Sequence, residues 1–417
     1  GITLSDAEII GPFDGVDVRR TNFTGSKGAK IDPQKVLDKN LSGITLSDAE
    51  IIGPFDGVDV RRTNFTGSKG AKINPQTIEG KSLAGTKLSG VEIIGSLDGV
   101  HIRGTDFTGS KGAKINPQTV RDRSLRNTKL SGVEIIGSLD GVDISGTDFT
   151  GSKGAKINPQ TVGCKSLNDT TLSDAEVIGS FDGVDVRRTN FTGSKGAKIN
   201  PQEVWGRSLE DTKLSGVEII GSFDGVDIEC TDFTGSKGAK IDPQTIRNKN
   251  LSGITLSDAE IIGPFDGVDV RRTNFTGSKG AKINPQEVLD KNLSGITLSD
   301  AEIIGPFDGV DIRFTDFTGS KGAKIDPQTV RYRSLRNTKL SGVEIIGFLD
   351  GVDMSFTDFT NLTGGSSFAK MELRKYNALK QIKQIILNEI ETNSSNLEQI
   401  KTLKKSKVRL RKIKNKK

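Results

Sequence analysis

Large apolar residues recur along this chain at a step of five. Between residues 41 and 83 they fall at Leu41, Leu46, Ile51, Phe55, Val60, Phe65, Ile73, Ile78 and Leu83. An amphipathic helix repeats near 3.6 residues and a half-buried strand at 2, so neither element accounts for this spacing. A step of five suits a backbone that turns a corner after each apolar anchor and keeps every anchor inside. Two steps break the count: Ile51 to Phe55 is short by one, or slips through Ile52, and Phe65 to Ile73 is long by three.

A longer period overlies the short one. Phe stands at 23, 65, 107, 149, 191, 233, 275, 317 and 359, a strict spacing of 42. Eight complete units fill residues 1–336 and a partial ninth ends near 360. Self-similarity at a fixed period predicts one elongated array in place of two or three ordinary domains. The phrase FTGSKGAKI at 23–31 returns unchanged seven more times, the last at 317–325. Residues 1–31, 43–73 and 253–283 are nearly identical, which points to recent duplication of whole units.

Segments such as Thr105-Asp106-Phe107-Thr108-Gly109, Thr63-Asn64-Phe65-Thr66-Gly67 and Lys39-Asn40-Leu41-Ser42-Gly43 resemble the pentapeptide-repeat family. Its motif has a central Leu or Phe, a small residue two before it and Asp or Asn between. The resemblance covers about 350 residues, with Thr, Val or Lys often replacing the small residue. It implies an all-β solenoid, a right-handed four-sided β-helix. On that fold eight anchors make two coils, and the short and long steps bring the register back after each unit. The expected columns are Leu41, Val60 and Leu83 on one face, then Leu46, Phe65 and Leu88, then Ile51, Ile73 and Ile93, then Phe55, Ile78 and Leu97. Coils at the strand-pairing distance of about 4.8 Å give a rod of roughly 80 Å, in which each coil pairs its backbone with the next.

The repeated phrase then has a geometric role. Its three extra residues lie within TGSKGAK, a bulged corner at which Gly67 and Gly70 supply backbone angles that residues with side chains resist. Pro75 follows at an outer turn.

Composition agrees with a narrow, turn-rich core: 33% of residues are hydrophobic and 50 are Gly. Cys164 and Cys230 occupy different positions of the unit and write no disulfide framework, as suits a reducing cytoplasm. No apolar run is long enough to span a bilayer and no secretory signal is visible. Gly1 falls in mid-unit without an initiator Met, so further chain is expected before it. A signal peptide there would select a cell-surface adhesin.

Charge divides the chain. Residues 1–360 carry 44 basic and 49 acidic side chains, net −5, whereas 361–417 carry 15 and 4, net +11. Within the body, two lysines of each repeated phrase share one corner: Lys27, Lys30, Lys69, Lys72, Lys111, Lys114, Lys153, Lys156, Lys195, Lys198, Lys237, Lys240, Lys279, Lys282, Lys321 and Lys324. They form an expected basic ridge along which an anionic polymer could lie, with Asp56 and Asp59 marking an acidic ridge on the diagonal edge. A plain solvated surface is the simpler account, because the body is net acidic and no aromatic residues interleave these lysines.

Other chemistry is weakly written. GSKGAK lacks the spacing and the following helix of a nucleotide loop, and GSKG alone is too short to define a nucleic-acid clamp. The Asp residues of FDGVD recur about 10 Å apart and match no calcium motif, so no metal or other cofactor is expected. The single histidine, His101, replaces an Asp of FDGVD and is expected to face solvent. A filled core that repeats the same outward groups offers no catalytic cavity, so an enzyme is not expected.

Residues 361–367 read as a linker and 368–417 as a helical, basic C-terminal module. Tyr376, Leu379, Ile382, Ile386 and Ile390 keep helical spacing and are candidate contacts for capping the solenoid or pairing two chains. The cationic end suits nucleic acid, an anionic surface or an acidic partner. The first expectation is a rigid, non-enzymatic scaffold that binds a protein partner. The resemblance also implies a DNA-mimic role toward topoisomerases, for which a body with 44 interspersed basic residues is a poor match.

Overall fold

The computed structural model describes residues 1–4, 7–362 and 364–365. The expected C-terminal module at 368–417, with its capping or dimer contacts from Tyr376 to Ile390, lies outside the described residues.

Six of the eight steps in the unit from Leu41 begin with a tight turn followed by a ladder position. In these the N–H three residues after an anchor donates to the anchor's carbonyl, as from Ile44 to Leu41, Ala49 to Leu46 and Ser68 to Phe65. The residue at the third position of such a turn takes positive φ, as at Gly43 (+71°) and Gly67 (+82°). The anchor's own N–H donates to the following coil: Leu41 to the Asp59 carbonyl, Leu46 to Asn64 and Ile51 to Lys69, at 2.8–2.9 Å. Every bridge is parallel, so successive coils run the same way round. Two-residue strands such as Lys30–Ile31 and Glu50–Ile51 are the regular part of this ladder.

The four columns are those the five-residue step predicts. Leu41 and Val60, Leu46 and Phe65, Ile51 and Ile73, and Phe55 and Ile78 are all buried, with their counterparts in the later complete units. Phe55 meets Phe65 edge to face at 5.6 Å, and five other units keep the same pair. Thr is tolerated two positions before an anchor because its hydroxyl has a partner inside: Thr63 Oγ1 donates to the Leu41 carbonyl at 2.8 Å and Thr86 Oγ1 to Val60 at 3.0 Å. The ambiguous slip resolves in favour of Ile51, which points in, whereas Ile52 is exposed.

The repeated phrase is the bulge it was expected to be. Glu50 pairs upward with Lys69, yet Glu92 pairs downward with Lys72, so the ladder shifts by three residues inside the phrase. Gly70 makes the shift at φ +78°, and a Cβ there would stand 2.9 Å from the Ile51 carbonyl oxygen. Its serine turns inward. Ser68 and its seven equivalents are buried with no hydrogen-bond partner for the hydroxyl.

Lys at the small-residue position has a different basis. Lys39, Lys81 and their equivalents lie in a left-handed turn leading onto the first face, preceded by a second residue of positive φ such as Asp38 or Gly80. The side chain is exposed because the turn swings it out of the core.

Candidate functional site

The sixteen lysines do gather along one corner, but not alone. Their column alternates with Glu50, Glu92, Glu134, Glu176, Glu218, Glu260, Glu302 and Glu344. The second lysine of each phrase pairs with the glutamate of the next coil, from Lys114–Glu134 at 2.9 Å to Lys30–Glu50 and Lys282–Glu302 at 3.5 Å. Each 42-residue unit therefore presents two lysines and one glutamate there, and the field along the corner is weakened accordingly.

The diagonal edge differs more from expectation. Asp59 is not a solvated acid: it is buried, and its carboxylate accepts from the Arg61 backbone N–H at 3.0 Å, Nε at 2.9 Å and Nη2 at 2.7 Å. Burial would raise this carboxyl, but the hydrogen bonds from Arg61 outweigh it and hold the group below the ordinary carboxylate range. Asp185 with Arg187, Asp269 with Arg271 and Asp311 with Arg313 repeat the arrangement.

Around these pairs lies the surface that reading along the chain missed. The eighteen arginines of residues 1–360 all fall on the first face or its two flanking corners: Arg19, Arg20, Arg61, Arg62, Arg103, Arg121, Arg123, Arg126, Arg187, Arg188, Arg207, Arg247, Arg271, Arg272, Arg313, Arg331, Arg333 and Arg336. Four of the five exposed aromatic side chains among the described residues join them: Trp205, Phe314, Tyr332 and Phe356. The Arg187 guanidinium lies 4.6 Å from the Trp205 ring centre, and Arg313 stands likewise over Tyr332.

Much of the difference between units also falls on this edge. The phrase FTGSKGAKI is invariant in eight units, but the position of Glu79 holds Leu37, Arg121, Gly163, Trp205, Arg247, Leu289 and Arg331 elsewhere. The position of Arg62 holds Arg, Gly, Cys or Phe, and that of Ser42 holds Ser, Ala, Arg, Asn or Glu. Backbone strain follows the same map. Of the non-glycine residues with positive φ, all but Asp48, Asp174, Asp258, Asp300 and Asn361 are on this edge, and they include Arg62 (57°), Cys230 (56°), Phe314 (63°) and Tyr332 (62°). Gly43, Gly85 and Gly104 hold the same corner column without that cost. Long side chains are thus displayed where a glycine would be relaxed. Stacking the units in register, as opposed to reading along them, is the signal that finds it.

His101 sits on this edge and departs from its expected place in solvent. It is half-buried, its Nε2 is enclosed without a hydrogen-bond partner, and burial, then Arg103, pushes its pKa below the usual value. Cys164 and Cys230 are free thiols on the same edge, and no group of three metal-ligating side chains occurs among the described residues. No helix among them is long and apolar enough to cross a membrane.

No protein-family profile and no curated protein matches the chain. Among solved structures, a pentapeptide repeat protein involved in heterocyst differentiation regulation from the cyanobacterium Nostoc, HetL, aligns at 13% identity over 86% of each chain, with a TM-score of 0.10. QnrB1, a plasmid-mediated fluoroquinolone resistance protein, aligns at 16% identity over 51% of this chain and 90% of its own, with a TM-score of 0.12. At such scores the likeness supports nothing further. The coils themselves carry the assignment: a five-residue step, four inward-facing columns and parallel pairing from coil to coil give this chain the pentapeptide-repeat architecture.

Proposed function

We propose that the protein is a non-enzymatic scaffold that binds a protein partner along its arginine-lined edge. The observation that carries the reading is the gathering on one edge of the rod of every arginine of the body, four of the five exposed aromatic residues and much of the difference between units. Trp, Tyr and Arg are the residues that dominate protein interfaces, because each combines large contact area with a directed polar or cationic group. A uniform polymer such as nucleic acid is matched by a repeated group. Here the successive units present different ones, including Asp169, Glu210, Asp211 and Glu229 midway along, which suits the particular surface of a folded protein. The Lys–Glu alternation and the eighteen arginines also weigh against mimicry of DNA, which asks for a broadly negative rod.

The test is affinity capture with the full chain and two sets of substitutions. Trp205→Ala with Phe314→Gly should abolish retention of the partner, while Lys69→Ser with Lys72→Ser should leave it unchanged. Retention that survives the first pair and is lost with the second would reverse the assignment of the working surface.

A further inference from the structure

Within the arginine edge lies a cleft of about 610 Å³, half open to solvent, near its N-terminal end. Arg20, Arg62 and Arg121 line it together with Glu79 and His101, over a floor that includes Gly43. The space exists because small residues occupy the corner column. A Cβ on Gly43 would stand 3.5 Å from Arg20 Cγ, and one on Gly85 3.3 Å from Arg62 Cγ, so each arginine stem lies over a glycine of the next coil. In the fifth unit the position of Gly43 carries Asp169, 3.8 Å from Arg188. Glycine removes that carboxylate here, and neither Arg20 nor Arg62 has an ion-pair partner among the described residues. Arg121 spends one Nη2 hydrogen on the Gly80 carbonyl at 3.0 Å and keeps its other donors.

A second carboxylate is missing from the same place. The other eight units put Asp at the position of His101, where Asp59, Asp185, Asp269 and Asp311 each neutralise an arginine. With histidine instead, Arg103 Nε turns to the Ser124 hydroxyl at 3.0 Å. His101 Nε2 is the one buried side-chain nitrogen among the described residues without a partner. Arg61 also lines the cleft but is held by Asp59, so three arginines remain against the carboxylate of Glu79. Guanidinium groups pair with tetrahedral oxyanions through two parallel hydrogen bonds, which is the use such an excess of donors fits.

We propose that this cleft binds a phosphate group, with Arg20, Arg62 and Arg121 as its donors. The site can be filled whether or not a protein docks along the rest of the edge, so it stands or falls separately from the scaffold reading. Its volume accommodates more than one phosphate.

His101 is the only histidine of the chain, so its ring C2 proton gives one isolated nuclear magnetic resonance signal. The groups around the ring are Arg103, Arg121, Asp122 and Glu79, and a bound dianion adds negative charge to this set and raises the titration midpoint. The experiment titrates the full chain with inorganic phosphate, pyrophosphate and O-phosphoserine at fixed ionic strength. A saturable shift of the signal, with a higher midpoint, is expected for all three if the site takes any phosphate, and for phosphoserine above inorganic phosphate if a phosphorylated side chain is the natural occupant. Arg20→Gly and Arg62→Gly each weaken binding about tenfold, and both fold, since Gly43, Gly85 and Gly104 already hold that column. Lys69→Ser leaves binding unchanged. A response that sodium chloride reproduces, or one that Arg62→Gly leaves intact while its thermal unfolding is unaltered, overturns the proposal.

Discussion

Asp59 shows how a single residue couples charge to stability. Its carboxyl is held below the ordinary range in the folded chain, so its contribution is fully present above the unfolded pKa of about 3.9 and is lost as the pH falls through the folded value. Thermal unfolding measured from pH 5 to pH 2 should show a falling midpoint, and Asp59→Asn should flatten part of that fall. A variant whose pH profile superposes on the parent would contradict the coupling. Strain gives a second test of opposite sign. Cys164 holds φ +56° at a position where Gly80 and Gly206 sit at +59° and +63°. Cys164→Gly should stabilise by about 0.5–1 kcal/mol once the greater freedom of glycine in the unfolded chain is deducted. Gly70→Ala should destabilise, because the new methyl meets the Ile51 carbonyl oxygen at positive φ. Urea unfolding of the two variants separates the signs.

At the scale of the element, the turn after each INPQ or IDPQ segment depends on one amide. Gln76 Nε2 donates to the Ser96 carbonyl at 3.0 Å and to the Asp98 carbonyl at 2.7 Å, so it holds the outer turn of the next coil. Gly95, just before that outer turn, is required by closeness and not by φ, since a Cβ there would collide with the Asn74 side chain. Gln76→Ala should leave the rod folded but speed hydrogen exchange at the Gly99 amide, which bonds to Thr119 in the same turn, by about tenfold, the equivalent of one net hydrogen bond. Unchanged exchange would show the clamp to be incidental. The anchors, the bulge and the glycines of the repeated phrase were legible in the sequence because they repeat along it. The arginine edge was not, because Arg20, Gly43, Arg62 and Gly85 are about twenty residues apart and become neighbours only when coils stack. Nor could spacing reveal that Asp59 is buried under its own arginine, or that His101 turns a nitrogen inward. Those facts depend on local side-chain geometry, which the five-residue step leaves free.

For the whole molecule, the register makes a prediction that separates folding from recognition. Neighbouring coils pair at alternating offsets, as from Asn22 to Thr45 and from Thr45 to Asn64, and only the two together restore the starting face. Removing residues 209–250, one complete unit, joins Ser208 to Leu251 with every column intact, and the shortened chain should unfold cooperatively with a circular dichroism spectrum like that of the parent. Removing residues 209–229, half a unit, joins coils whose bulges and corners do not match, and should cost cooperativity. Recognition behaves differently. The complete-unit deletion draws Phe314 and Tyr332 about 10 Å closer to Arg62 and Arg121, because each unit contributes two coil spacings. A partner that bridges both parts of the arginine edge should be lost from a rod that is still well folded, whereas the phosphate response of His101 should persist, since its cleft lies wholly within residues 20–121. Retention of the partner at full strength by the shortened rod would confine its footprint to one side of the deletion, and parallel loss of folding would show that the units are not interchangeable in the way the columns imply.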